Sequence, residues 1–142
     1  MKTKNINYWL LKSEPGTWSW SDQKKKIIEM WDGVRNYQAR NNLMKMKKND
    51  LCFFYHSINE KKIVGIVSVH KEYYTDPTDK TKKFVAIDVK YKKSLRNAVS
   101  LEVIKKEIKL SHLSLIKQSR LSVMPIDKNS WDLILNISGK NL

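Results

Sequence analysis

Four short segments place polar, aromatic and turn-forming residues side by side where a strand should end or a loop should turn. They are Lys12-Ser13-Glu14-Pro15, Trp31-Asp32-Gly33-Val34-Arg35-Asn36, Tyr55-His56-Ser57 and Arg120-Leu121-Ser122-Val123-Met124-Pro125. In the first, an apolar run ends in a charged pair, and Pro15 cannot continue a hydrogen-bonded ladder; the segment is either a capped strand end or a pocket rim. In the second, either Trp31 plugs the core and Arg35 pairs with Glu14 or Asp32, or the indole walls a flat slot whose amides and hydroxyls read a planar ligand's edge. The fourth reads as a strand that starts with Arg120, whose guanidinium can grip a phosphate or carboxylate with two parallel bonds. From these residue types alone the expectation is a pocket for something planar.

Other chemistries lack their signatures. The sequence has no G-x-x-x-x-G-K-[ST], G-x-G-x-x-G, H-E-x-x-H or G-x-S-x-G motif, and four glycines leave little for a phosphate-cradling loop. His56, His70 and His112 stand apart from other metal-ligand residues, so neither a metal nor a cofactor is expected. An enzyme would have to use Lys12, Glu14 or His56 as acid or base, without a nucleophile, base and orienting group in evident register. Cys52 sits in an apolar run and reads as a small buried hydrophobe.

The 142 residues suit one domain, 1–142, with 41% hydrophobic and 30% charged residues. Twenty-eight Lys and Arg against 14 Asp and Glu give a net charge of +14, which attracts phosphate backbones, although the excess is spread along the whole chain. The densest runs are Lys24-Lys25-Lys26 and Lys45-Met46-Lys47-Lys48. Lys45, Lys47 and Lys48 are the candidates for phosphate-backbone contact, against the plainer reading of a solvated helix face. No apolar run reaches the ~20 residues of a membrane span, and no secretory leader is recognisable. With a lone cysteine, the expectation is a cytoplasmic protein, monomeric, with no membrane partner.

Four segments carry the aromatic and β-branched character of strands: Tyr8–Leu11, Leu51–Tyr55, Ile63–Val69 and Phe84–Val89. In the last, Val85, Ile87 and Val89 alternate with Ala86, Asp88 and Lys90, predicting one buried and one wet face. Turns at Asn59–Lys62 and Asp76–Asp79 leave no room for helices, so three strands follow one another in an antiparallel meander. Ser21-Asp22 predicts a short helix running through Met30, and Tyr37 to Lys47 carries Ala39, Leu43 and Met46 at helical spacing. Ser100 caps Leu101–Lys109 with an inward stripe of Leu101, Ile104 and Ile108. A last helix begins near Asp127, turns Trp131, Ile134 and Leu135 inward, and stops at Gly139. Helices flanking the strands, not alternating with them, predict an α+β fold.

Taken together, Tyr8–Pro15, Trp31–Asn41, Phe53–Ser57 and Gln118–Pro125 closely resemble the EVE domain family, a branch of the PUA-like superfamily that includes the thymocyte nuclear proteins and is similar to YTH domains. The likeness spans essentially the whole chain in order. The chain departs from the family's habit at Tyr91 and Ala98, where Pro is frequent, and at Phe84, where Trp is frequent. The resemblance implies a small mixed or antiparallel β-barrel of five or six strands flanked by short helices, and a pocket that reads a modified base in DNA or RNA. It places Trp31 as the wall of an aromatic cage, with Val34 and Arg35 beside it. Lys12, Ser13 and Asn36 fall at the base-reading edge, and Tyr55, His56 and Ser57 across the pocket. Arg120, Leu121, Ser122, Met124 and Pro125 line its floor or rim. The function it implies is a non-catalytic reader of a modified, methylated base swung into that pocket, with nucleic acid as partner. The alternative is a small-molecule-binding or RNA-metabolism module using the same pocket, and an enzyme is the least favoured reading.

Overall fold

The computed structural model describes residues 5–139. Its elements are β1 (Tyr8–Ser13), α1 (Trp20–Lys26), β2 (Ile28–Trp31), α2 (Tyr37–Lys45), β3 (Leu51–His56), β4 (Lys62–Thr75), β5 (Val85–Ser100), α3 (Leu101–Lys106), α4 (Ser114–Lys117), β6 (Val123–Ile126) and α5 (Lys128–Gly139), with a 3-10 turn at Ile108–Leu110.

β1 and β3 are nearly unbroken apolar runs because they pair in parallel at the centre of the sheet, where side chains from both faces are covered. Leu10, Leu11, Phe53 and Phe54 have no exposed surface. Each contributes about 1.5–3 kcal/mol of burial. A parallel pair needs a crossover, and the chain between β1 and β3 supplies one containing α1, β2 and α2. β3, β4 and β5 form the expected meander. The full order is β2-β5-β4-β3-β1-β6. The fold is thus mixed α+β, and the sheet is open at β2 and β6, not a closed barrel.

Helix packing follows the predicted stripes in part. Ala39, Leu43 and Met46 of the α2 segment are fully buried, and Trp131 of α5 stacks on Phe53 with ring centroids 3.7 Å apart. Asn36 caps α2, its Oδ1 accepting from the Ala39 N–H at 2.9 Å, and Ser100 caps α3 in the same way.

Five expectations are corrected. The first helix is capped by Ser19, whose hydroxyl and Asp22 form a reciprocal capping box, and it ends at Lys26. Ile27 then takes φ 71°, a region costly for a β-branched residue, and Ile28–Trp31 becomes an edge strand on β5. The α3 segment stops at Lys106, and Ile108 is 82% exposed instead of facing inward. β5 does not have a plain wet face: Ala86 is fully buried and Asp88 half-buried, because Asp88 accepts a hydrogen bond from the Tyr74 hydroxyl of β4. The last strand begins at Val123, leaving Arg120 in the turn before it.

Candidate nucleic-acid interface

β2 and β6 lie at opposite edges of the sheet, yet residues of β2 and Ser122, just ahead of β6, line one cleft. The sheet therefore curls until its edges face each other across a gap of about 500 Å³. Three stretches supply the walls: Lys12 to Trp18 at the end of β1, Glu29 to Asn36 from β2 and the loop after it, and Ser122.

Trp31 forms the deep wall. It is 9% exposed and meets Phe54 edge to face, with centroids 5.6 Å apart. The more open aromatic is Trp18, half-buried on the stretch that follows β1. Gln23 fixes it: the Trp18 indole donates to Gln23 Oε1 at 2.9 Å, while Gln23 Nε2 donates to the Ile27 carbonyl at 2.9 Å. One fully buried amide thus ties the Trp18 wall to the start of β2, joining the Tyr91 N–H on the Ile27 carbonyl.

The loop from Asp32 to Asn36 is held from below by Asp76. Its carboxylate, with no exposed side-chain surface, accepts from the Gly33 N–H at 2.8 Å and Arg35 Nη1 at 3.0 Å through one oxygen. The other oxygen accepts from the Thr78 N–H at 2.7 Å and hydroxyl at 2.6 Å. Burial alone would raise this carboxyl, but the bonds from Thr78, Gly33 and Arg35 outweigh it and hold it below the ordinary carboxylate range. Gly33 takes φ 80°, the left-handed conformation glycine permits at this turn. Arg35 is therefore occupied as a brace on Asp76 and Thr78, not paired with Glu14 or Asp32. Asn36 stands exposed at the rim, its Oδ1 committed to the α2 cap.

Lys12 pins the third wall. Its N–H donates to the Ser122 carbonyl at 2.9 Å and its Nζ to the Ser119 carbonyl at 2.8 Å, and the ammonium lies 5.8 Å from the Tyr55 ring centroid. Partial burial lowers its pKa. Ser13 is buried, its hydroxyl donating to the Trp18 carbonyl.

Of the residues singled out in the sequence, Lys12, Ser13, Trp31, Val34, Arg35, Asn36 and Ser122 line this cleft. Tyr55, His56, Ser57, Arg120, Leu121, Met124 and Pro125 do not. Tyr55 is buried beneath Lys12, and burial raises its hydroxyl pKa. His56 is built into the scaffold: its Nε2 accepts from the Trp20 N–H at 2.9 Å, an otherwise unpaired donor at the start of α1, and its Nδ1 lies 3.1 Å from Glu60. An accepting Nε2 places the ring proton on Nδ1. The Ser57 N–H donates to the Ser13 carbonyl. Met124 is buried against Leu10 across the ladder, Pro125 is exposed in β6, and Leu121 is buried beside Arg120. Arg120 and Leu121 line a shallower depression of about 310 Å³ that shares Asn36 with the cleft. Lys45, Lys47 and Lys48 are exposed, with Lys45 at the far end of α2, about 13 Å along the helix from Asn36. Trp18, Glu14, Thr17, Glu29, Met30, Asp32 and Gly33 complete the lining. The signal for Trp18 was its place shortly after the Lys12–Pro15 strand end.

A Ser, a His and an Asp do meet elsewhere. Asp127 lies 2.7 Å and Ser130 3.2 Å from His112, but both approach Nε2. The ring therefore cannot pass a proton from one to the other as a relay requires. Among the described residues no helix is long and apolar enough to cross a membrane.

The family model described as EVE domain matches residues 7–137. The chain belongs to the EVE domain family. Thymocyte nuclear protein 1 of Mus musculus is 35% identical to this EVE domain over 169 residues, covering 94% of this chain and 75% of the mouse protein. A Rhodopseudomonas palustris protein solved by NMR shares 43% identity at a TM-score of 0.90 over 94% of each chain. The human THYN1 protein, crystallised in complex with 5-methylcytosine containing DNA, shares 30% identity at a TM-score of 0.88 over 96% of this chain and 99% of that one. The YTH domain of the Zygosaccharomyces rouxii MRB1 protein, at 13% identity and a TM-score of 0.58 over 99% of this chain and 88% of that one, has a similar fold.

Proposed function

We propose that this EVE domain is a non-catalytic nucleic-acid-binding module that holds a methylated base, swung out of its stack, in the cleft between Trp18 and Trp31. The observation that carries the proposal is the pairing of two indole walls with polar groups in one cleft of about 500 Å³, within the ordinary size range for small-ligand sites. Swinging a base out costs a few kcal/mol. Stacking on an aromatic side chain returns about 1–3 kcal/mol. A methyl group against an indole adds roughly 0.8 kcal/mol. Glu14, Glu29 and Asp32 can accept from an exocyclic amino group, and the Asn36 Nδ2 can donate to a ring nitrogen or carbonyl. The human THYN1 complex with methylated DNA supports the same partner class. The PUA-like barrel enters here too: an open sheet whose edges frame the cleft is a barrel left unclosed at its binding gap. Action as a cytoplasmic monomer belongs to the same proposal.

The test compares duplexes of one sequence with and without a single 5-methylcytosine, bound to wild type, Trp18→Ala and Trp31→Phe. Trp18 is half-buried at the edge of the core and its indole occupies the buried Gln23 Oε1, so circular dichroism checks alongside that Trp18→Ala stays folded. Trp18→Ala should weaken binding of the methylated duplex about 5- to 150-fold, the equivalent of 1–3 kcal/mol. Binding of the plain duplex at low salt should change little, and Trp31→Phe should narrow the preference while the protein stays folded. Equal weakening of both duplexes would count against the cleft as the reading site. Competition by a free planar metabolite would favour the small-molecule alternative.

A further inference from the structure

The cleft and its neighbour differ in charge in a way that divides a nucleic-acid strand between them. The cleft is lined by Glu14, Glu29 and Asp32, Glu29 being paired with Lys26, and its two cations are engaged, Arg35 by Asp76 and Lys12 by the Ser119 carbonyl. A phosphodiester would find no unengaged cation there. The adjoining depression, reached past Asn36, is lined by Asn36, Gln38, Lys117, Gln118, Ser119, Arg120 and Leu121, without a carboxylate. Lys117 is the last residue of α4 and Arg120 lies exposed in the next turn. Neither takes part in an ion pair among the described residues.

The turn that carries Arg120 is also tied to the cleft. Lys12 binds the carbonyls at both of its ends, Ser119 through Nζ and Ser122 through its backbone N–H. The Leu121 N–H closes it onto the Gln118 carbonyl at 3.0 Å. Arg120 is thereby placed on a braced segment beside the base cleft, and its planar fork suits two phosphate oxygens. The Lys45, Lys47 and Lys48 run lacks this proximity to the site.

We infer that Lys117 and Arg120, with the Gln38 and Gln118 amides, form the phosphate seat for the backbone flanking the captured base, in place of the Lys45–Lys48 run. The inference rests on the proposed function for its partner, but its readout differs from the base-reading one. The experiment is a salt titration of binding for wild type, Lys117→Ala, Arg120→Ala and a Lys45→Ala/Lys47→Ala/Lys48→Ala control, on methylated and plain DNA and on RNA of the same sequence. All the substituted side chains are exposed. On duplex DNA each lost phosphate contact should reduce the slope of log K against log salt by about 0.9, or roughly 3.5-fold less weakening over a fourfold rise in salt. Lys117→Ala and Arg120→Ala should each show this reduction with the methylated-to-plain ratio unchanged, and the triple control should leave the slope near wild type. The DNA and RNA arms show which strand supplies the phosphates. If the wild type prefers methylated DNA and neither single variant moves the slope, the phosphate seat is overturned and the base reading stands. If the variants move the slope but the wild type shows no methyl preference, the seat stands and the base reading fails. No binding by the wild type to any of these chains overturns both.

Discussion

Replacing Asp76 by asparagine tests how the Asp32–Asn36 wall of the cleft is held in place. The carboxylate has two oxygens, each facing two donors: Gly33 N–H and Arg35 on one, Thr78 N–H and hydroxyl on the other. An asparagine has one oxygen, so whichever way the amide turns, its Nδ2 confronts a backbone N–H that has lost its acceptor. An unsatisfied buried donor costs about 1–3 kcal/mol, and the remaining bonds lose the extra strength a charged acceptor gives. The sum is about 2–4 kcal/mol. For a chain of this length each kcal/mol moves the melting point by about 3–4 °C, so Asp76→Asn should melt roughly 6–16 °C lower at pH 7. The pH dependence has a definite sign. Because the folded state holds Asp76 below the ordinary carboxylate range, its contribution is complete above the unfolded value of about 3.9 and is lost as pH falls through the lower folded value. The melting difference between wild type and variant should therefore shrink below about pH 4. Thermal unfolding by circular dichroism at pH 7 and across the acid range measures both. A pH 7 difference under about 3 °C would refute the view of Asp76 as the support of this wall.

Two further outcomes follow from other contacts. A Cβ on Gly65 would lie 2.0 Å from the Trp20 ring, itself held by a 2.9 Å bond to Ser94 and packed on Phe54 and Tyr91, so Gly65→Ala should destabilise by about 3 kcal/mol, read by denaturant unfolding. A loss below about 1 kcal/mol would mean that Trp20 moves freely. Asn36→Ala should cost about 1 kcal/mol through the lost α2 cap, whereas Asn36→Asp keeps the capping oxygen and should be within about 0.5 kcal/mol of wild type while weakening base binding. Equal stability of all three proteins would remove the cap from the account.

The central strands and the meander were legible because β1 and β3 carry long apolar runs that few other structures tolerate. β4 and β5 extend well past their expected ends, since their outer halves are polar and repeated register shifts break the alternation that marks a strand. β2 was hidden for a different reason: the helix before it ends at an isoleucine in a left-handed conformation, and no glycine announces the break. The Ser19–Asp22 box, in contrast, was present in the sequence as a capping spacing. At the site, Trp31 and the Asp-Gly turn were readable as a local cluster. Arg35 was not, because its partner Asp76 lies 41 residues away. His56 looked like a ligand group for the same reason: the Trp20 N–H that occupies it is 36 residues distant.

The most direct measurement is a crystal structure of this protein with a short duplex carrying one 5-methylcytosine. The methylated base should lie out of the helix, its ring between Trp18 and Trp31 and its polar edge toward Asn36 and the cleft carboxylates. A base still paired within the duplex while the protein contacts only the backbone, or a base bound at another surface, would contradict it.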